Sequence, residues 1–315
     1  MKRGRLLISA ILFLLCALAL SGCSAGTPGE TGADITIRVV ATQDFGQEIM
    51  FDEALGVPPG TSAMAALKQV AEVETTYGGG FVSAINGVGS EHDKGDWFIF
   101  VNGITANAGA LDYNLHDGDI QHWDFHDWGF RMAIPASIGD FPDPLVHGYQ
   151  GEVSPTVIAY EEGLEDSAQS LQTSLKGLGV ASVSIQNTLY LTESDKQHSN
   201  LILIGTMDCD LVSELNQVWD RLGFFVHFED GVMVSYDSEG EVTVEYGSGC
   251  GVIQASQSPW NPDGIGVCEN VVWMVSGTDE AGVESAVDAL INRPGEFKYA
   301  YAVVVANSEI IKVPQ

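Results

Sequence analysis

The chain reads as an α+β protein in two folded parts, a strand-rich part with a single helix followed by an α/β sandwich with an antiparallel hairpin insert. Three observations predict this. Apolar and polar residues alternate in short runs between Ile35 and Phe125, and one helical period interrupts them, at Met64, Leu67, Val70 and Ala71. Beyond Thr156, apolar strands alternate with amphipathic helices. Between the two lies Gly129 to Pro155, where Pro135, Pro142, Pro144 and Pro155 accompany Phe130, Phe141, Leu145 and Tyr149. A flexible spacer would not carry those apolar residues, so this segment reads as an ordered crossover. At 315 residues the chain is long enough for two cores.

The first residues have a basic start at Lys2, Arg3 and Arg5, an apolar run from Leu6 to Leu20 and a small-residue end, the anatomy of a secretion signal. Leu20-Ser21-Gly22-Cys23 resembles the bacterial lipobox, which makes Cys23 the expected lipidation site and places the protein outside the cytoplasm, anchored to the cell membrane or cell surface. Ser24 to Ala33 has nothing to bury and reads as a tether. The expected layout is a lipoprotein signal at 1–23, a tether at 24–33, a first domain at 34–128, a crossover at 129–155 with the boundary near Gly148, and an α/β domain at 156–315.

In the first domain, Asp34 to Val40 alternates as a strand and a second extended piece lies near Glu48 to Phe51. Thr61 or Ser62 caps the helix that follows. Trp97 to Val101 is aromatic and β-branched and stops at Asn102-Gly103, a tight hairpin turn. His116-Asp117-Gly118-Asp119 then reverses the chain into a strand from Ile120, in which Ile120, His122 and Asp124 face one way and Gln121, Trp123 and Phe125 the other.

In the second domain, Thr156 to Tyr160, Ser182 to Ile185, Asn200 to Gly205 and Val271 to Gly277 read as strands; Leu164 to Leu178, Leu211 to Leu222 and Glu280 to Ile291 read as helices. Phe224 to Tyr236 and Glu241 to Ala255 read as hairpins, and Tyr301 to Val305 as the last strand. The nearly all-apolar run Leu201-Ile202-Leu203-Ile204 is expected to be a central parallel strand. This part distantly resembles α/β domains of microbial surface-layer proteins in its Leu-Ile-Leu-Ile-Gly strand, its Ser258-Pro259-Trp260-Asn261-Pro262 turn and its Val-Ser-Gly-Thr-Asp-Glu step into a helix.

Composition narrows the function. The formal charge is −30, and without Lys2, Arg3 and Arg5 there remain 10 basic against 43 acidic residues, or −33. Such a field repels phosphate backbones, which excludes nucleic acid as a partner. Cys209, Cys250 and Cys268 remain after the signal; Cys250 and Cys268 are spaced to allow a bridge without requiring it, and no CxxC pair suggests zinc. Gly247-Ser248-Gly249 lacks the spacing and context of a nucleophile elbow, so no enzyme is expected. His122, Asp124 and His126, with His116 and His92 nearby, either offer two imidazoles and a carboxylate to a metal or form the solvent-facing side of a strand. Tyr77-Gly78-Gly79-Gly80 either lets backbone approach a bulky ligand or is a plain connection.

One resemblance adds to this reading. Trp97-x-x-x-Val101-Asn102-Gly103, Gly109 to Leu115, Asp117-Gly118-Asp119 and Trp123, preceded by Gly60-Thr61 and Phe81 to Gly87, resemble the C-terminal domain of transcobalamin and intrinsic factor and its bacterial relatives of the DUF4430 type, over roughly residues 35–128. The resemblance implies a β-grasp-like domain and cobalamin or a related corrinoid as the cofactor. Trp97, Phe98 and Ile99 align with the segment that contacts the ligand, with Tyr77 beside them, and a histidine could serve as an axial ligand to cobalt. It further implies capture for uptake, with envelope transporter components as partners. The large helical domain that completes the clamp in the animal carriers is absent from this chain. The alternative is a cell-envelope interaction protein whose first domain binds a protein or polysaccharide.

Overall fold

A computed structural model describes residues 33–89 and 95–315. The signal, Cys23, most of the tether and His92 lie outside the described residues. Among those described, no helix is long and apolar enough to cross a membrane. Asp34–Gln315 forms one compact unit of mixed α+β structure.

The first part is built on a hairpin. Strands β1 (Ile35–Gln43) and β2 (Glu48–Val57) pair antiparallel around a turn in which Asp44, Phe45 and Gly46 all take positive φ. Helix α1 (Ala63–Val70) starts at Ser62, whose hydroxyl accepts from Ala65 N at 3.2 Å. It buries Met64, Ala66 and Leu67 against the sheet. Three short strands, β3 (Val73–Thr76), β4 (Phe81–Ile85) and β5 (Val88–Gly89), make a small separate sheet. Strand β6 (Gly95–Val101) turns at Asn102-Gly103, both at positive φ as a type I′ hairpin needs, into β7 (Ile104–Thr105). Strand β8 (Ile120–Asp127) then inserts between β1 and β6, parallel to the first and antiparallel to the second, giving the order β2-β1-β8-β6-β7.

The crossover is packed: Ile134, Ala136, Ile138 and Leu145 are buried, the last in the short helix α2 (Asp143–Val146). Then come β9 (Thr156–Tyr160), α3 (Glu165–Gly177), β10 (Val183–Asn187), α4 (Glu193–His198), β11 (Asn200–Thr206) and α5 (Asp210–Asn216). Strands β12 (Val226–Glu229), β13 (Val232–Tyr236) and β14 (Val242–Tyr246) form an antiparallel insert. Strands β15 (Gly251–Gln257) and β16 (Val271–Gly277), helix α6 (Glu280–Asn292), and strands β17 (Ala302–Ala306) and β18 (Glu309–Val313) complete the chain. The main sheet runs β10-β9-β11-β16-β15-β17-β18, with its first four strands parallel.

Strand β11 is central and buried, as its apolar run requires. The expected hairpin from Glu241 to Ala255 does not form. β14 pairs with β13, while β15 enters the main sheet between β16 and β17, where seven consecutive residues are buried. β18, absent from the sequence reading, adds an edge. Cys209, Cys250 and Cys268 are all free, so no bridge joins the last two.

Candidate functional site

Strands β6 and β8 present two faces, and the register assigns each residue to one of them. Trp97 pairs with Phe125 and Ile99 with Trp123; Phe98 pairs with Asp124 and Phe100 with His122. The first group points toward α1 and the small sheet. Trp97 is buried there, with its indole Nε1 donating to Val88 O at 3.0 Å and its ring 5.4 Å from that of Phe125. The second group points toward the main sheet.

Alternation on β8 is therefore as read, but the histidine side does not face solvent. His122, Asp124 and His126 are buried, because the turn at Phe45 and the strand from Tyr301 cover them. Asp124 accepts five hydrogen bonds: from Thr42 Oγ1 at 2.5 Å, the amides of Phe45 and Gly46 at 3.1 and 3.0 Å, His126 Nδ1 at 2.6 Å and Tyr301 OH at 3.1 Å. Burial acts to raise this carboxyl; the hydrogen bond and charge of His126, with His122 and Thr42, outweigh it and hold Asp124 below the usual carboxylate range. Burial and the Asp124 charge push the Tyr301 phenol well up, so it remains a donor.

The Asp124 bond fixes the His126 ring, which lies flat between Phe98 and Phe45 with centroids 4.3 and 4.4 Å away. His126 forms part of the wall of a cleft of about 430 Å³ with Gln43, Asp44, Glu48, Phe125 and Asp127. Partial burial and the nearby charges of Asp124 and Glu48 raise Asp44. His122 lies deeper, with Nε2 2.8 Å from Thr42 Oγ1 and Nδ1 3.7 Å from Asp140 Oδ2. Among the described residues, no group of three or more His, Cys, Asp and Glu side chains is arranged to hold a metal ion. The Asp124 lone pairs are already committed to the network, and the His122 Nε2 to Thr42.

A different surface opens at the glycine turn. Tyr77, Gly78 and Gly79 take three successive positive φ values, 50°, 73° and 99°. Two glycines make this possible without steric cost, but Tyr77 bears the cost of a left-handed L-residue, about 1–2 kcal/mol. The turn lifts the Tyr77 side chain to 91 % exposure, with Phe81 (39 %) edge-on at 6.4 Å and Leu111 (47 %) beside Gly79. Of the four residues expected to meet a ligand, then, Tyr77 is at an open surface, Trp97 is in the core, Phe98 is stacked on His126, and Ile99 is half-buried in the sheet. Phe81 and Leu111 join the exposed patch; both lie in motifs read from the sequence, but their exposure carries no sequence signal. Thr42, Phe45, Asp140 and Tyr301 were likewise unread as members of the network, because they come from distant parts of the chain.

Residues 60–127 match a family described as a domain of unknown function, DUF4430. The match starts at the loop before α1 and ends with β8. No curated protein matches the chain. Among solved structures, a protein from Ruminococcus gnavus described only as a candidate metal binding protein is 13 % identical with a TM-score of 0.24, over 30 % of this chain and 98 % of that one. Haptocorrin in complex with Cbi is 15 % identical with a TM-score of 0.25, over 29 % of this chain. The aligned part spans 25 % of the haptocorrin chain.

Proposed function

We propose that the protein is a lipoprotein of the cell surface, anchored through Cys23, whose first part is a β-grasp domain binding cobalamin or a related corrinoid for capture and uptake, without catalysis. The β-grasp reading is supported by the sheet order β2-β1-β8-β6-β7, with its central parallel pair and one helix across it. The observation that carries the binding reading is the exposed patch of Tyr77, Phe81 and Leu111 on a glycine turn held at positive φ. A large amide-bearing macrocycle needs an apolar surface for its face and free backbone donors and acceptors at its rim. The patch offers the first, and the glycines, with nothing beyond hydrogen atoms on their Cα, let backbone come close enough for the second. Trp97 and Ile99 belong to the sheet face turned toward the small sheet from which the patch rises, whereas Phe98 points to the opposite face and has no part in this surface. His122 and His126 lie on the opposite face of the sheet from this patch, buried in the Asp124 network, so neither is placed to ligate a corrinoid held there. A transporter in the envelope is the expected acceptor of the ligand.

The test is titration of Asp34–Gln315 with cobalamin, followed by absorbance. Tyr77→Ala and Leu111→Ser should each leave the melting profile unchanged and weaken binding by up to about thirtyfold, the effect of losing about 2 kcal/mol at a hot spot. Absence of binding by the folded wild type at high micromolar cobalamin removes the corrinoid, and the envelope-interaction reading takes its place.

A further inference from the structure

Edge strands of a sheet expose unpaired amides and carbonyls, and folded proteins usually guard them with charge, proline or brevity. In this protein β2 carries Glu48, Asp52 and Glu53, β3 Glu74, β12 Glu229, β14 Glu245, and β18 Glu309 and Lys312 with Pro314 just beyond; β5 and β7 have two residues each. Strand β10 has none of these defences. It is the edge of the main sheet, its sequence is Val-Ser-Ile-Gln-Asn, and it lies in sixteen consecutive uncharged residues, from Gly177 to Thr192. In a chain of net charge −30 that is an exception in need of a cause. Just past the strand, Leu189 and Tyr190 are 72 % and 73 % exposed.

We propose that β10 is the contact surface for a second copy of this chain, joined edge to edge and antiparallel across a two-fold axis at Ile185. The backbone phase permits it. Thr156 N donates to Ser182 O on the β9 side, so Val183, Ile185 and Asn187 turn their amides and carbonyls outward. Of these, the Val183 carbonyl is already held by Gln172 Nε2 at 2.9 Å, and the Asn187 carbonyl accepts the first bond of the turn Thr188–Tyr190. The groups of Ile185 and the amides of Val183 and Asn187 are therefore the ones offered outright, with a second lone pair left on each of the two carbonyls. An antiparallel pair centred on Ile185 sets each Ile185 against its twin and Val183 against Asn187, which makes the contact self-complementary as an isologous dimer requires. Charge selects the partner. Two copies of so acidic a protein repel each other over most of their surface, and an uncharged strip is where they can approach at least cost. Leu189 and Tyr190 flank the strip and bury apolar area as the edges close.

Sedimentation of Asp34–Gln315 over a range of concentrations tests this. The expected result is a mass that doubles as concentration rises, and a dimer strengthened by added salt, which screens the repulsion. Ser184→Lys and Tyr190→Glu change exposed side chains; each should keep the circular dichroism and melting profile of the wild type and sediment as a monomer. Chains carrying Ile185→Cys should form, on mild oxidation, a disulfide linking the two substituted positions, mapped by mass spectrometry, since directly opposed antiparallel residues lie within disulfide reach. A monomer at every concentration overturns the proposal. So does a dimer that both charge variants leave intact, or oxidised Ile185→Cys protein lacking the expected cross-link.

Discussion

Asp124 is the residue on which the interior polar network converges. Its five donors come from the end of β1, the following turn, its own strand and β17's approach, so that one carboxylate ties together segments up to 177 positions apart. Asp124→Asn keeps the shape, removes the charge and turns an amide donor toward groups that are themselves donors. Breaking one member of a buried charged network typically costs about 3–5 kcal/mol. The expected outcome is a loss of that order at neutral pH in urea unfolding. The variant should also be less sensitive to acid than the wild type. A carboxyl held below its unfolded value contributes stability above the unfolded value and loses it as pH falls through the folded one, so Asp124 and the similarly lowered Asp52 both weaken the fold in acid. Asp44 and Asp143, raised chiefly by burial, act in the opposite sense and partly offset that loss.

Helix α6 approaches its sheet through glycine. A Cβ on Gly282 would lie 2.2 Å from Cys250 O, and one on Gly251 would lie 2.2 Å from Gly282 O, so backbone meets backbone without side chains between. Inside a helix alanine gains roughly 1 kcal/mol over glycine. Overpacking against backbone costs about 1–3 kcal/mol or more and should outweigh that gain for Gly282→Ala. Gly177→Ala in α3 meets nothing within 4 Å and serves as the control. The urea midpoint should fall for the first and hold or rise for the second. In β6 the same logic separates two tryptophan variants. Trp97→Ala opens a core cavity worth about 3–5 kcal/mol, whereas Trp97→Phe keeps most of the volume and loses the bond to Val88 O.

At the scale of the whole molecule, the two sheets are bound to each other by more than the crossover. Phe45 and Phe100 from the first part share a hydrophobic cluster with Leu201, Phe225 and Tyr301 from the second. Asp52 adds a polar clamp, pairing with Arg38 in its own hairpin and with Lys298 at 2.7 Å near the C-terminus, where Tyr299 also donates to it. A shortened chain, Asp34 to Gly148, keeps its own sheet and helix but exposes Phe45, Phe100, His122 and Asp124. It should fold with a lower urea midpoint than the full chain. An unchanged midpoint would show that the two parts are energetically independent.

Much of this architecture was legible in the sequence, since local chemistry fixes local form. Asn102-Gly103 dictates the hairpin through positive φ, Ser62 the start of α1, and the apolar run at Leu201 a strand buried on both faces. Alternation on β8 likewise separated His122 and Asp124 from Trp123. Periodicity reports which residues share a face; it does not say what covers that face. The polar side of β8 looked solvated because polar residues usually are, and only the return of the chain at Tyr299 and Tyr301 turned it into a buried network. The same holds for β14 and β15, two adjacent strands whose partners lie in different sheets, and for Trp97, whose motif suggested a ligand while its indole fills the core. By itself, the sequence determined strands, turns, caps and the acidic surface. The tertiary structure decided which polar residues are hidden, which aromatics are open and which sheet edge is left unguarded, because these depend on contacts between separate elements, up to 177 positions apart at Asp124 and Tyr301, which no local pattern encodes.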